Sequence, residues 1–576
     1  MMMSDSDLII KKVTLANALK HKGRADVGAI MKHIMAEQPE WRTNAKTILE
    51  RIKLQVQKVN AMSKEQQETL WAELAPGEPI KPIEKLEKEC LPPLEGAKEG
   101  HVVTRFPPEP SGYLHIGHGY TIYINWYYAR KYKGRFILRF EDSNPRKVEE
   151  RFYEIIREDL RLLKLDWDEE ILESDRVPKY YEFTEQLLKQ GDAYVCKCSQ
   201  EFVQQCRRSG QPCSHHDSSI EQNLDEWEKI LHSYQEGEAV VRLRGDLKAE
   251  ESALRDPTIM RIVDHPHPIQ GDAYRVWPLY DYAVSIEDAL SGITHVLRSE
   301  EFVPKIPLQN LIREKLGLKS PQFIHYSRFK IRGTPVQRRV IRDLINTGFV
   351  SGWDDIRLST LSGLIRRGIV PDTIKQLVCE IGLTTGQPEL DWSIVLAINR
   401  KIIDPIAKRF FMVINPYPLK VSSAPTMTVT LHSHPTHPEL GLRQITTTGQ
   451  FYISREDAME LNSGKMVRLK DLYDIKILKV DNKEVLAEHC NQRTPDIPKI
   501  QWVTENSIPT TLTFPDVLLL ENNTPNPKSL VVKSGLAETN LQKAQIGEII
   551  QLERIGFGRI DKIDKEKIVI NMTEKN

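Results

Sequence analysis

The chain has 576 residues, 80 basic against 80 acidic side chains, 40% apolar positions and 28% charged ones, which are the values of a soluble globular protein and, at this length, of about three to five domains. Zero formal net charge excludes a wholesale electrostatic nucleic-acid binder, so any RNA surface must be local. No apolar run is long enough to cross a bilayer and the Met1-Met2-Met3-Ser4-Asp5 start lacks a secretory leader, so a cytoplasmic protein with no membrane partner is expected.

From about Leu8 to Leu74 apolar residues recur at three-and-four spacing (Ile9, Val13, then Ile30, Ile34, then Ile48 to Val59), which predicts a small bundle of about two or three helices over 1–75. The segment Pro76-Gly77-Glu78-Pro79-Ile80-Lys81-Pro82 breaks that pattern, and the charged run beyond it predicts a linker over 76–100. Strand character then leads to Phe106. A rigid turn with prolines at 107, 108 and 110 and glycines at 112 and 117 follows, and an apolar, aromatic helical run covers Gly119 to Tyr132. A turn of that kind belongs at a helix N-terminus, an end that favours phosphate, and His115 and His118 can donate hydrogen bonds to oxygens that gain charge.

Residues 135–142 read as a second strand ending in Glu141 and Asp142. The strand, helix, strand order suits a parallel sheet whose crevice lies beyond the strand carboxyl ends; the alternative for these acids is to cap a turn. Four of the seven cysteines fall between 196 and 213, which argues against a disulfide framework and for a metal cluster in a reducing compartment. Alternating residues 239–244, the segment 253–262, and 274–283 followed by 293–302 carry further strands. Beyond a basic loop at 323–341 and helical stretches at 361–368 and 390–409, the texture from about Phe410 changes to short alternating strands, the mark of an all-β region.

His115-Ile116-Gly117-His118 behind Arg105-Phe106-Pro107-Pro108-Glu109-Pro110-Ser111-Gly112-Tyr113-Leu114 resembles the HIGH signature of class I aminoacyl-tRNA synthetases, in the form of the glutamyl and glutaminyl enzymes. The segment Phe323 to Ile341 resembles the loop carrying the KMSKS signature, with two departures. Gln337 stands where serine is expected, and Arg338 replaces the catalytic lysine with a wider guanidinium fork. The run Leu390 to Arg409 is closer to the glutamyl form, and the N-terminal bundle resembles the appendix of the archaeal and eukaryal type.

The resemblance implies a multidomain fold: an N-terminal helical bundle; an α/β Rossmann-type catalytic core in two halves, 101–195 and 274–322; an inserted α/β domain at 196–273; a loop and helical stem-contact segment at 323–409; and C-terminal all-β barrels, two in tandem, at 410–576. It implies an enzyme that uses ATP with Mg²⁺ to form glutamyl-adenylate from L-glutamate and passes the acyl group to the 3′-terminal adenosine of tRNA(Glu), with tRNA(Gln) open as a second acceptor. By the same resemblance His115, His118 and Arg338 are catalytic. Pro108, Gly112, Gly117 and Arg339 bind ATP, and Arg105, Glu141, Tyr280 and Arg298 hold glutamate, although an ion pair of Arg298 with Glu300 or Glu301 is the alternative. Cys196, Cys198, Cys213 and His215 hold a structural Zn²⁺, with Cys206 and His216 as substitutes. A monomer is expected, and the N-terminal bundle reads as a docking or solubility module. A glutaminyl enzyme, a non-catalytic tRNA-binding paralogue and a small-molecule nucleotidyltransferase remain as alternatives.

Overall fold

The computed structural model describes residues 5–20, 23–38, 41, 45–75 and 89–574, so residues 76–88 of the expected linker lie outside the described residues. The chain divides into two units, Met1–Cys90 and Leu91–Asn576.

The first unit holds α1 (Asp5–Lys20), α2 (Val27–Glu37), α3 (Ala45–Asn60) and α4 (Lys64–Leu74). Asp26 starts α2 by accepting from the Ala29 amide at 2.7 Å. The α3 face Ile48, Ile52, Val56 and Val59 packs with Ile10, Leu15, Ile30 and Ile34. The last helix goes beyond the two or three expected. Its apolar pattern is sparse, and a reciprocal capping box between Ser63 and Gln66 starts it.

In the second unit β1 (Val103–Phe106), α5 (Ile116–Lys131), β2 (Arg135–Phe140), α6 (Arg151–Leu162) and β3 (Glu169–Leu172) form a parallel sheet in the order β1-β2-β3. After α7 (Val177–Gln190) the chain leaves this layer for an antiparallel sheet of β4 (Ala193–Cys196), β5 (Val240–Leu243), β6 (Thr258–Ile262) and β7 (Val276–Pro278), with α8 (Gln200–Ser209) and α9 (Ile220–His232) inserted between β4 and β5. It returns through α10 (Tyr280–Leu290), β8 (His295–Ser299), α11 (Ile306–Leu316) and β9 (Gln322–Tyr326), where β8 and β9 pair in parallel. Thr294 joins the two parallel sheets: the Val103 amide donates to its hydroxyl at 2.8 Å, and its own amide donates to the Val103 carbonyl at 3.0 Å. The carboxyl ends of β1, β2 and β8 therefore face one crevice, as parallel α/β order requires.

Helices α12 (Arg338–Asn346), α13 (Leu361–Arg367), α14 (Pro371–Ile381) and α15 (Trp392–Ile403) lead to two seven-stranded sheets. These are interleaved rather than tandem. Strands Lys408–Phe410 and Met412–Ile414 close the two edges of the sheet built otherwise from strands between Ser507 and Met572, while the intervening chain makes the other sheet. Alternation along a strand reveals its faces but not its distant partner, so the sequence pattern suggests a serial order that long-range pairing overrides. The loop at 516–529 reaches back toward α12: the Leu519 amide donates to the Gly333 carbonyl at 3.0 Å, and Leu518 packs with Ile341, Leu344 and Leu358. Among the described residues no helix is long and apolar enough to cross a membrane.

The tightest backbone approach at a described glycine is at Gly134, between α5 and β2 at the amino end of the parallel sheet, where an added Cβ would lie 1.8 Å from the Val102 carbonyl oxygen. Gly134→Ala is expected to destabilise the β1–β2 layer by about 1–3 kcal/mol, read as a lower urea midpoint. Gly386→Ala, with only a distant neighbour at 3.9 Å, serves as the neutral control. Equal midpoints for the two variants would contradict this packing.

Candidate active site

The crevice contains a cavity of about 280 Å³. The turn after β1 gives Pro107 and His115 to its wall and is stitched to its neighbours by two backbone bonds: the Glu141 amide donates to the Pro108 carbonyl at 3.0 Å and the Glu149 amide to the Pro110 carbonyl at 2.9 Å. Helix α5 begins at Ile116, three residues before the apolar run at Gly119 suggests, because His115 caps it. Nδ1 of His115 accepts from the Gly117 amide at 3.1 Å, and Nδ1 of His118 accepts from the His115 amide at 3.1 Å. A nitrogen that accepts carries no proton, so in each neutral ring the proton sits on Nε2. Burial, then the nearby Arg328 charge, pulls His115 down to about 4. Burial, then His115 and Arg328, holds His118 well below the ordinary histidine value. At neutral pH both rings are thus uncharged Nε2–H donors, with centroids 3.9 Å apart and planes tilted by 33°. Gly117 must be glycine, since a Cβ there would lie 2.9 Å from His115 Cε1.

Behind the histidines lies a buried charge cluster. Asp288 on α10 accepts from Arg139 at 2.8 Å and from Arg105 at 3.1 Å, and Arg313 stands 3.4 Å from its second oxygen. Burial works against the Asp288 charge, but Arg105, Arg139 and Arg313 outweigh it and hold the carboxyl at about 2. Glu141 has the opposite balance: burial dominates over Arg139 and Arg105 and pushes it up to about 7. Arg298 on β8 donates through Nη2 to Gln309 at 2.9 Å, while its Nε and Nη1 are buried without a partner. The suggested pairing with Glu300 or Glu301 does not occur; Glu301 pairs with Arg328 instead.

Of the residues singled out from sequence, Arg105, His115, Gly117, His118, Glu141, Tyr280 and Arg298 line the cavity. Pro108, Gly112, Arg338 and Arg339 are not among its walls. Arg338 donates to Glu149 at 2.8 Å and lies over the Phe152 ring. It also crosses Gly112, where an added Cβ would meet its Cδ at 3.2 Å. Arg339 is exposed. From the same loop it is Arg328, Phe329, Ile331 and Val336 that reach the cavity. Sequence reasoning passed over Arg328, Asp288 and Arg139, although one signal was available. An arginine inside the apolar run Phe136-Ile137-Leu138-Arg139-Phe140 needs a buried acidic partner.

Residues 101–405 match the family model for the catalytic domain of tRNA synthetases class I (E and Q), and residues 407–493 and 499–561 match two models for the anti-codon binding domain of that group. Curated relatives extend the match along the chain. A glutamate-tRNA ligase of Pyrococcus abyssi is 40% identical, covering 97% of this chain and 98% of its own. That of Pyrococcus horikoshii is 39% identical, covering 98% and 99%, and that of Methanocaldococcus jannaschii is 37% identical, covering 97% and 98%. The chain belongs to the class I tRNA synthetases of the E and Q group.

In this synthetase a second group of chemistry-bearing residues sits on the inserted sheet, away from the cavity walls. One ligand-type atom each from Cys196, Cys198, Cys213 and His215 lies within 4.8 Å of the others. The Cys196 and Cys213 sulfurs are 3.9 Å apart, and Cys198 Sγ is 3.3 Å from His215 Nδ1. A tetrahedral Zn²⁺ with Zn–S bonds of about 2.3 Å sets its sulfurs roughly 3.8 Å apart, so the donors fit. Buried Arg242 stands 3.9 Å from Cys196 Sγ and 4.0 Å from Cys213 Sγ, a cation suited to thiolates. Cys206 and His216 are outside the group; His216 turns to Asp217.

The state of the histidines is directly measurable. The His115 ring nitrogens, followed by NMR, are expected to titrate near 4, and Arg328→Ala to raise the midpoint while leaving it below 6.5, because burial is the larger cause. A wild-type midpoint above about 7 would refute neutral donors.

Proposed function

We propose that this synthetase is a glutamate-tRNA ligase, which joins L-glutamate and ATP into glutamyl-adenylate and then transfers the glutamyl group to the 3′-terminal adenosine of tRNA(Glu). The observation that carries the amino-acid choice is the pair of unpartnered Arg298 nitrogens, buried in the cavity beside Tyr280. A buried guanidinium whose neighbours Gln309 and Tyr280 are neutral suits the side-chain carboxylate of glutamate, and the names of the curated relatives support the same substrate. Glu141 faces the substrate ammonium, and Arg105, held by Asp288, presents charge toward the α-carboxylate.

In the first step an α-carboxylate oxygen of glutamate attacks the α-phosphorus of ATP and pyrophosphate leaves; ATP brings Mg²⁺ with it as part of the substrate. His115 and His118 donate their Nε2 protons as hydrogen bonds to phosphate oxygens, stabilising charge that grows in the transition state. Because they are neutral beforehand, they do not tie up a counter-ion. Arg328, already in the cavity, supplies positive charge to the phosphates, and Arg338 adds to it on leaving Glu149. In the second step a ribose hydroxyl of the tRNA terminus attacks the acyl carbon and AMP departs. The anti-codon binding β region takes the far end of the tRNA. An enzyme of translation is read as cytoplasmic. Zn²⁺ at Cys196, Cys198, Cys213 and His215 would tie the end of β4 to the loop after α8, a structural role in the insertion.

Aminoacylation of total tRNA with labelled glutamate and, separately, labelled glutamine decides the function. Base-labile label from glutamate is the expected result, and the accepting tRNA species are then sorted. Label from glutamine alone would make the protein the glutaminyl enzyme, and label from neither with tRNA still bound would make it a non-catalytic binder. Elemental analysis is expected to find about one zinc per chain, lost with a drop in thermal stability in Cys198→Ala. Metal-free wild-type protein would remove zinc from the account.

A further inference from the structure

Arg298, which also meets the neutral Tyr280 hydroxyl, offers its charge to a ligand only because its amide partner is uncharged. That partner, Gln309 on α11, is fully buried, and its Oε1 accepts from Arg298 Nη2 at 2.9 Å. Its other end is equally committed: Nε2 donates to Asp281 Oδ1 at 3.0 Å, and the second Asp281 oxygen pairs with Lys305 at 2.7 Å. We infer that Gln309 is a positioning residue that sets the cavity's preference for a carboxylate over a carboxamide. The inference rests on the reading of Arg298 as the partner of the substrate side chain.

The orientation of the Gln309 amide follows from the acids and bases around it. An ionised carboxylate can only accept, so Asp281 must meet the NH₂ end of Gln309, and the carbonyl end is thereby turned to Arg298. That carbonyl takes up an Nη2 proton and leaves Nε and Nη1, both buried, outside the Gln309 contact. The guanidinium also approaches the rings of Phe302 at 5.4 Å and Phe323 at 5.1 Å, which limits its rotation. A ligand carboxylate accepting at Nη1 brings the negative charge that this buried guanidinium lacks. A carboxamide brings no charge, and its NH₂ end would set donor against donor, a mismatch that a buried polar site rejects.

The neutrality of Gln309 matters as much as its position. Glutamate at 309 would keep the hydrogen bond to Arg298, but it would cancel the charge that recruits the substrate and would face Asp281 with like charge. An apolar residue of similar size would keep the volume while releasing the arginine from its fixed orientation. The two replacements therefore fail for different reasons, and both act on binding of the amino acid rather than on the phosphate chemistry at His115 and His118.

The test is steady-state aminoacylation by wild type, Gln309→Glu and Gln309→Met, with glutamate and with glutamine, alongside thermal melting and tRNA binding to establish folding. Gln309→Glu is expected to raise KM for glutamate more than about tenfold while kcat changes by less than about threefold, and to lower the ratio of kcat/KM for glutamate over glutamine by a similar factor. Gln309→Met is expected to shift both in the same direction by about three- to tenfold. If Gln309→Glu fails to fold, Gln309→Met decides. Folded variants with KM and substrate ratio within about twofold of wild type would overturn the inference while leaving the ligase intact. A wild type that itself prefers glutamine would instead overturn the functional reading, and the inference with it.

Discussion

One carboxylate shared by three guanidiniums holds the catalytic crevice in shape. Asp288 on α10 draws together Arg105 from β1, Arg139 from β2 and Arg313 from α11, so four elements from both halves of the core converge on a single buried charge. All four side chains are nearly inaccessible to water. Charges placed there cost several kcal/mol each in lost hydration, and only close mutual pairing offsets that cost. Without Asp288, Arg139 would keep Glu141 at 3.4 Å and Glu173 at 3.7 Å, but Arg105 and Arg313 would lose the carboxylate that they share with it in a dry interior. The same cluster aims Arg105 into the cavity and leaves Glu141 poised near neutrality, about 7, between protonated and ionised forms.

The histidine pair follows the opposite rule, hydrogen bonding without charge. Backbone amides at the start of α5 occupy both Nδ1 atoms, which leaves the Nε2 protons as donors on rings that burial and Arg328 keep neutral. Preorganised neutral donors need no reorganisation when charge appears on a phosphate. Above them the loop before α12 splits its arginines. Arg328 lies in the cavity, whereas Arg338 rests on Glu149 and Gly112. The hydrogen bond from Leu519 to Gly333 and the packing of Leu518 on α12 tie this loop to the distal β region, so the catalytic crevice and the anti-codon binding domains share one continuous set of contacts.

Local chemistry is legible in the amino-acid sequence. The prolines and glycines between Phe106 and His118 announce a rigid turn at a helix start, and that is where α5 begins. Cysteines crowded between 196 and 213 announce a donor cluster, and four ligand-type atoms do meet. Alternation beyond Phe410 announces strands, and the two sheets contain them. In each case the signal is written in residues close together in the chain, where steric and hydrogen-bonding preferences act directly.

What only the tertiary structure decided are the pairings between residues far apart. Sequence spacing marks Arg298 as a cation near Glu300 and Glu301, but cannot reveal that Gln309 holds it or that Arg328 takes Glu301. It cannot reveal that Asp288 is the partner of Arg139, 149 positions away, nor that strands near 410 close a sheet made by residues beyond 507. By itself the sequence determined the family and marked seven of the residues that line the cavity, because motifs and periodicity are local. Charge partners and strand order were left to the fold, because burial and long-range pairing depend on which distant surfaces are brought together, and no spacing along the chain encodes that choice.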